Sequence, residues 1–596
     1  MCGIAGFNWK DDKKIKELCA LFKHRGPDQE GYYSDSIVSI GHKRLSILDL
    51  SEKGRQPLSN EDKTIFITYN GEIFNFEEIK KELAEYKFRT KTDTEVIVHA
   101  YEEYGFDCLK KLNGQFAFCI YDKKKQLLFL ARDRIGILPL YYYFDGEKFV
   151  FSSELKAIMQ SGIKKEIDND ALNYYIAYRY TPRKQSILKN TYKLEPGHYL
   201  IYDLKNNTIK DEKYWDVKFT NEITDEQEAK YLIQTQLEKS VKDRLIADVP
   251  VGAFLSGGID SSAVVAMISK YKKNLNTFSI KFDYADFDES KYARIVAEKF
   301  GTKHHVIEFT AKDVKDLIPK LAYHYDEPFG DPSMIPTYLV SKVARQHVTV
   351  SLSGDGGDEL FGGYKAYKDY KILQVQKYYP KFVNKIAHSI LKWLPFSFLE
   401  KPKAFFEIGT LPEKHKYARL MSSLSAEEFR QITGTEPEQV YKEYEQYATD
   451  NYLNTAMNSD LHLYLPDDIL TKVDRASLAN SLESRPPLLD HEMIELACKI
   501  TPGLKQGKYI FKKALEGVLP DEILHRKKMG FGVPLKYYLK NELRPLVYKY
   551  VFKFDKHNHF RKEYLEQLEK LFNRNKDCSK TIWAIMMFNI WWEKWM

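Results

Sequence analysis

Two stretches hold residue types whose spacing could do chemistry. The chain opens MCGIAGF, and removal of Met1 by an aminopeptidase would leave Cys2 with a thiol and a free α-amine, a nucleophile and a base on one residue. The plain alternative is a small buried hydrophobe near a frayed terminus. The second stretch is AFLSGGIDSSAVVAM, residues 253–267, where an apolar run ends at Leu255 and Ser256-Gly257-Gly258-Ile259-Asp260-Ser261-Ser262 lead into an apolar helix. A glycine turn at a helix N-terminus presents backbone N–H groups and the positive end of the helix dipole to an anion. The hydroxyls of Ser256, Ser261 and Ser262 add donors, and Asp260 offers an oxygen to magnesium. No lysine follows the glycines, so this is no Walker A loop. S-G-G-x-D-S-S reads instead as the pyrophosphate loop of enzymes that cleave ATP between the α and β phosphates to adenylate a substrate. A strand-helix turn with capping serines is the bland alternative, and the whole heptad favours the phosphate loop over it.

A second acidic loop follows a later strand in VTVSLSGDGGDELFGGY, with Ser353, Gly354, Asp355, Gly356, Gly357, Asp358 and Glu359. In a parallel sheet the ligand crevice forms at the carboxyl ends of the strands. Asp260 and Asp358 could then share a magnesium ion on the pyrophosphate.

The elements that must position these groups differ between two halves. Residues 1–200 alternate short β-rich runs (TIFITYNGEIFN, GQFAFCIYDKKKQLLFLARD, YYYFDGEKFVFSSE) with helical patterns such as EEIKKELAEY. Period-two alternation broken by turn signals predicts antiparallel sheets with packed helices, an α+β domain over 1–210. A polar stretch around 203–225 reads as a linker. From 225 to 596 apolar strands are followed by helices (VPVGAFL, SSAVVAMISKY, NTFSIKF, ESKYARIVAEKFG, VTVSL), which predicts a parallel α/β sheet with a helical C-terminal extension.

Composition narrows the class. The chain has 596 residues, too many for one core, and 43% hydrophobic with 29% charged residues predicts a globular protein. The net charge of +7 is scattered along the chain, so a solvated surface is expected and no nucleic-acid partner. Six cysteines without a C-x-x-C pair suggest neither zinc nor a disulfide framework, and a reducing, cytoplasmic setting is expected. The start carries no signal-peptide pattern, and TIWAIMMFNIWW is too short to span a membrane.

Over essentially its whole length the chain resembles the glutamine-hydrolysing asparagine synthetases. The first half resembles a class II glutamine amidotransferase domain of the N-terminal-nucleophile hydrolase fold through MCGIAG, HRGPDQEG, HKRLSILDL, YNGEIFN, TKTDTEV and ARDRIGILPLYY. The second resembles the synthetase domain through LSGGIDSS, DEPFGDPS, SLSGDGGDELFGGY, YLPDDILTKVDRASLANSLESR and HRKKMGFGVP. The resemblance implies that Cys2 is the nucleophile and its own α-amine, with a pKa of about 8, the base. It implies an oxyanion hole from Asn70 and the N–H of Gly71, although Asn-Gly alone is also a ready hairpin turn. Arg44 would hold the glutamine α-carboxylate, with Glu72 and Asp93 accepting from the α-amine.

In the second half the resemblance implies ATP at Leu255, Ser256, Gly257, Gly258, Asp260, Ser261, Ser262, Ser353 and Gly354, and magnesium at Asp260 and Asp358. Lys528 in HRKKMGF would contact the reacting intermediate, with Arg526 and Lys527 beside it, and Asp355 stands where some relatives carry glutamate. The implied reaction amidates L-aspartate through β-aspartyl-AMP with ammonia from glutamine. Relatives acting on other carboxylates are the alternative, and a homodimer is compatible with the reading. SLESRPPLLD, residues 481–490, departs from the family pattern at Leu488 and at the Pro486-Pro487 pair. It and DEPFGDPS, residues 326–333, are where partners for the acceptor are expected, because an aspartate needs charged groups for both its α-amine and its α-carboxylate.

Overall fold

The computed structural model describes residues 1–282, 288–392, 399–527 and 532–596. The first half holds two six-stranded antiparallel sheets. One runs in the order Thr191–Lys193, Tyr141–Phe144, Phe149–Ser152, Gly3–Phe7, Ser39–Arg44, Gln29–Ser34; the other runs Thr208–Lys213, His198–Asp203, Leu127–Arg132, Gly114–Asp122, Ile65–Ile73, Leu58–Ser59. Side-chain alternation explains the stacking. Along Gly114–Asp122, Ala117 and Cys119 face a core shared with Ile4 and Ile40 of the other sheet, whereas Phe116, Phe118 and Ile120 face the core that Val96 and Ile97 of the helix Asp93–Tyr104 help to fill. Both faces are covered, which is why these strands are apolar on both sides. The last strand of the first half runs to Lys213, and the next helix is Glu226–Asp243.

The second half is built on a five-stranded parallel sheet in the order Lys303–Phe309, Asn276–Phe282, Val251–Phe254, Val350–Leu352, Glu483–Arg485. The helix Ile259–Ile268 after the central strand is buried at every position from Ser261 to Ile268, as its apolar run over 263–268 requires. Beyond it the chain is mostly helical, closing with the buried helix Ser579–Trp595. Among the described residues no helix is long and apolar enough to cross a membrane.

The halves meet through a buried ionic cluster. Arg25 of the first half pairs with Asp474 of the second at 2.8 Å and with Glu154 at 3.0 Å, and Arg475 reaches the same Glu154 at 3.0 Å.

Candidate functional sites

Cys2 lies at the head of the strand Gly3–Phe7, 6% exposed. Its backbone N–H donates to Asn70 Oδ1 at 2.6 Å, and Arg25 Nε donates to its carbonyl at 2.9 Å. Met1 precedes it in the chain described here, so this nitrogen is an amide; the free ammonium belongs to Met1 and pairs with Glu483 at 2.8 Å. Burial pushes the Cys2 thiol up, against the pull of the terminal ammonium, a bond from the Leu45 backbone and the Arg44 charge.

Asn70 and Gly71 lie within the strand Ile65–Ile73, opposite Ala117 and Phe116, so the Asn-Gly pair makes no hairpin here. A Cβ at Gly71 would sit 2.3 Å from the Gln115 carbonyl oxygen, which is why the residue is glycine. Asn70 is fully buried and its Nδ2 has no hydrogen-bond partner among the described residues. A buried amide with one end tied to Cys2 and the other end unused is a donor set for charge that develops beside the thiol.

Arg44 ends the strand Ser39–Arg44, and its guanidinium is fanned over neutral oxygens: Gln29 Oε1 at 2.7 Å and the carbonyls of Leu48 and Asp49, each at 2.8 Å. None of these acceptors is a carboxylate, so the charge stays available to an anion. Asp93, at the N-terminus of its helix, accepts from Tyr69 OH at 2.7 Å and Ile73 N at 2.9 Å through one oxygen. Glu72 accepts from Arg485 at 3.2 Å through Oε2, while its Oε1 is buried without a partner. Burial, and for Glu72 the neighbouring Asp93, push both carboxyls up. Glu483 is buried too, yet the terminal ammonium and Arg485 hold it below the usual carboxylate range.

The second site is a cavity of about 690 Å³ at the carboxyl ends of the parallel strands, lined by Leu255, Ser256, Gly258, Asp260, Ser261, Ser353, Gly354, Asp355 and Asp358. Gly257 and Ser262, expected with them, do not line it. Gly257 makes the turn (φ 74°) and a Cβ there would lie 2.4 Å from the Ala293 nitrogen, while Ser262 is buried in the helix. Ser353 Oγ donates to Asp355 at 2.7 Å, and burial raises the Asp355 carboxyl. Lys528 lies outside the described residues; its neighbours Arg526 and Lys527 line the cavity, Arg526 donating to the Gly257 carbonyl at 2.9 Å and pairing with Glu289.

A cation that sequence reasoning missed, Lys508, reaches the carboxylates of both phosphate loops. Its Nζ lies 2.5 Å from Asp260 and 2.7 Å from Asp358, so one charge joins both loops. Gly507 and Lys508 both adopt left-handed backbone (φ 66° and 62°) to deliver it. A non-glycine residue pays roughly 1 kcal/mol for that conformation, a strain found where a site requires it.

Of the two segments expected to hold acceptor partners, DEPFGDPS supplies Asp331, paired at 3.1 Å with Lys472, and both line the cavity. Its Asp326 is instead in the buried interface. No residue of SLESRPPLLD lines the cavity: Leu489 packs beneath Gly356, and Glu483 and Arg485 face the Cys2 site. Those two residues were also missed as partners of the first site.

Residues 1–215 match the glutamine amidotransferase domain family and residues 232–593 the asparagine synthase family. The chain is similar to asparagine synthetase [glutamine-hydrolyzing] 1 of Bacillus subtilis, 35% identical over 99% of this chain and 96% of that one. It is 31% identical to asparagine synthetase [glutamine-hydrolyzing] 3 of the same organism, over 89% and 87% of the two chains. It is also 29% identical, over 90% of each chain, to the amidase chry2 of Gibberella zeae.

Proposed function

The chain belongs to the asparagine synthase family of glutamine-dependent, ATP-driven amidating enzymes, and from that premise we propose that it converts L-aspartate to L-asparagine through β-aspartyl-AMP. The observation that supports this acceptor is the make-up of the cavity: beside the two phosphate loops it carries the Asp331–Lys472 pair, an anion for an α-ammonium and a cation for an α-carboxylate.

In this reading removal of Met1 turns the Cys2 amide into an amine beside Asn70, and that amine takes the thiol proton. The thiolate attacks the glutamine side-chain amide, and Asn70 Nδ2 with the Gly71 N–H receives the oxyanion. Arg44 takes the α-carboxylate, and Glu72 with Asp93 the α-ammonium. Ammonia leaves, and water releases glutamate from the thioester. In the second site an aspartate side-chain oxygen attacks the ATP α-phosphorus and pyrophosphate departs. Ammonia then attacks the acyl carbon, AMP departs, and in this reading Asp355 takes the surplus proton.

Lys508 offers its charge to the phosphates. Asp260 and Asp358 meet on the Lys508 ammonium, and with Lys508 drawn to the phosphates their hard oxygen donors would suit magnesium. When bound there, the ion would stabilise negative charge on the pyrophosphate.

The test is pyrophosphate release with and without aspartate, with mass spectrometry for asparagine formed from amide-labelled glutamine. Aspartate-stimulated release with labelled asparagine is expected. If glutamine hydrolysis persists but aspartate stimulates nothing, the acceptor is another carboxylate and the aspartate reading falls.

A further inference from the structure

The Cys2 site is not closed by the first half alone. The strand Glu483–Arg485 pairs in parallel with Val350–Leu352 of the second half, and two of its side chains enter the carboxylate cluster beside Cys2. Arg485 is fully buried and uses every nitrogen of its fork: Nε to Glu483 at 2.6 Å, Nη1 to the carbonyls of Arg244 at 2.9 Å and Ile246 at 2.6 Å, and Nη2 to Glu72 Oε2 at 3.2 Å. Its own carbonyl accepts from Ser353 N at 3.0 Å, so its backbone is seated against the phosphate loop of the other site.

We infer that Arg485 is a positioning residue of the glutaminase reaction, supplied by the synthetase half, which fixes Glu72 so that the carboxylate's free oxygen receives the glutamine α-ammonium. The inference rests on the reading above that Glu72 and Asp93 bind that ammonium. Its geometric basis is the division of labour on Glu72: Oε2 is held by the guanidinium, while Oε1 is buried and unpartnered, as an acceptor waiting for a ligand donor must be.

Charge sets the condition for this assignment: burial and Asp93 push the Glu72 carboxyl up, and Arg485 opposes them. Glu72 faces Asp93 on the adjoining helix, Glu483 on the second half's strand, the terminal ammonium and Arg485 itself, and Tyr69 donates to Asp93. Burial, then the neighbouring Asp93 and Glu483 charges, favour the protonated form of Glu72, and a protonated Glu72 attracts an ammonium weakly. Arg485 pulls Glu72 in the opposite direction. Lysine would keep the charge but lose the bidentate reach between Glu72 and Glu483.

The experiment uses the full-length enzyme with Arg485→Met, Arg485→Lys, Glu72→Gln and Asp93→Asn. Glutaminase kcat and KM are measured across pH, alongside synthesis from added ammonia. Arg485→Met is expected to raise the glutamine KM about 10- to 100-fold, the scale of a lost buried charge contact. It should move the acid limb of kcat/KM to higher pH, because Glu72 then ionises later. Arg485→Lys should recover part of both effects, and Glu72→Gln added to Arg485→Met should cost little more.

An unchanged KM and pH limb in Arg485→Met overturns the inference, as does a fall in ammonia-dependent synthesis equal to the fall in glutaminase, which is the mark of a structural role. If Arg485→Met does not fold, Arg485→Lys decides on the same two readouts. If Glu72→Gln and Asp93→Asn themselves leave KM unmoved, the ammonium-binding reading fails; if they raise it while both Arg485 variants do not, only this inference fails.

Discussion

Around Cys2 most of the working groups sit on strands inside a packed sandwich, with unused buried polar atoms, Asn70 Nδ2 and Glu72 Oε1 among them. Around the phosphate loops the working groups sit on turns at strand ends and face a cavity of about 690 Å³ lined by acids and lysines together. The first arrangement suits a small amide substrate whose developing charge needs donors already in place. The second suits a polyanion brought in with its own counter-charge, where Lys508 joins two loops until a ligand competes for it. The difference teaches that substitutions at the first site should act on one chemical step, whereas substitutions at the second should act on binding and chemistry together.

The largest effect expected to test this division is Cys2→Ala. Glutamine-dependent synthesis should fall by about 10⁴-fold or more, the scale of a deleted nucleophile, while synthesis from added ammonia persists. Equal loss with both nitrogen donors, measured as asparagine formed, would break the comparison by showing one inseparable site. Next comes Lys508→Met, expected to lower ATP turnover to AMP and pyrophosphate by about 10²- to 10³-fold while leaving glutamine hydrolysis measurable. ADP and phosphate as the unmutated enzyme's products would refute adenylation outright. Asn70→Ala should reduce glutaminase kcat by about 10²-fold with a smaller change in KM, because its free Nδ2 is placed for the oxyanion. A KM effect alone would mean that Asn70 only shapes the pocket.

How much of this was legible in the sequence follows the same contrast. Period-two runs such as TIFITY and GQFAFCIYD announce their sheets because both faces are buried, one against the other sheet and one against helices. The glycine-rich loops are legible because a turn, a helix start and acidic residues are adjacent in the chain. Lys508 carried no such mark among 91 basic residues, since only the fold brings it to Asp260, 248 positions away. Arg485 and Glu72 are 413 positions apart, so the departure of SLESRPPLLD from the family pattern drew attention to the segment but assigned it to the wrong site. Its strand belongs to the second half while its side chains serve the first, a division that no local pattern encodes.

The smallest expected effect touches stability and leaves the chemistry alone. Asp460 opens the π-helical segment Asp460–Leu470, which carries Tyr464 and Ile469 to the cavity. It is fully buried, accepts from Tyr367 OH at 2.8 Å and Tyr417 OH at 2.9 Å, and burial pushes its carboxyl up to about 8. Because the folded value lies above the ordinary 3.8, the native state holds a proton that the unfolded chain has released across that window. The stability this contributes is complete below about pH 3.8 and is lost as pH rises toward 8, at no more than about 1.4 kcal/mol per pH unit. Asp460→Asn keeps an oxygen for both tyrosine hydroxyls and removes the proton linkage. Denaturant unfolding at several pH values should therefore give a shallower decline for the variant than for the parent, with ATP turnover unchanged. Parallel declines would show that Asp460 is ionised in the fold, and that the second half tolerates a buried charge away from its cavity as the cluster beside Cys2 does.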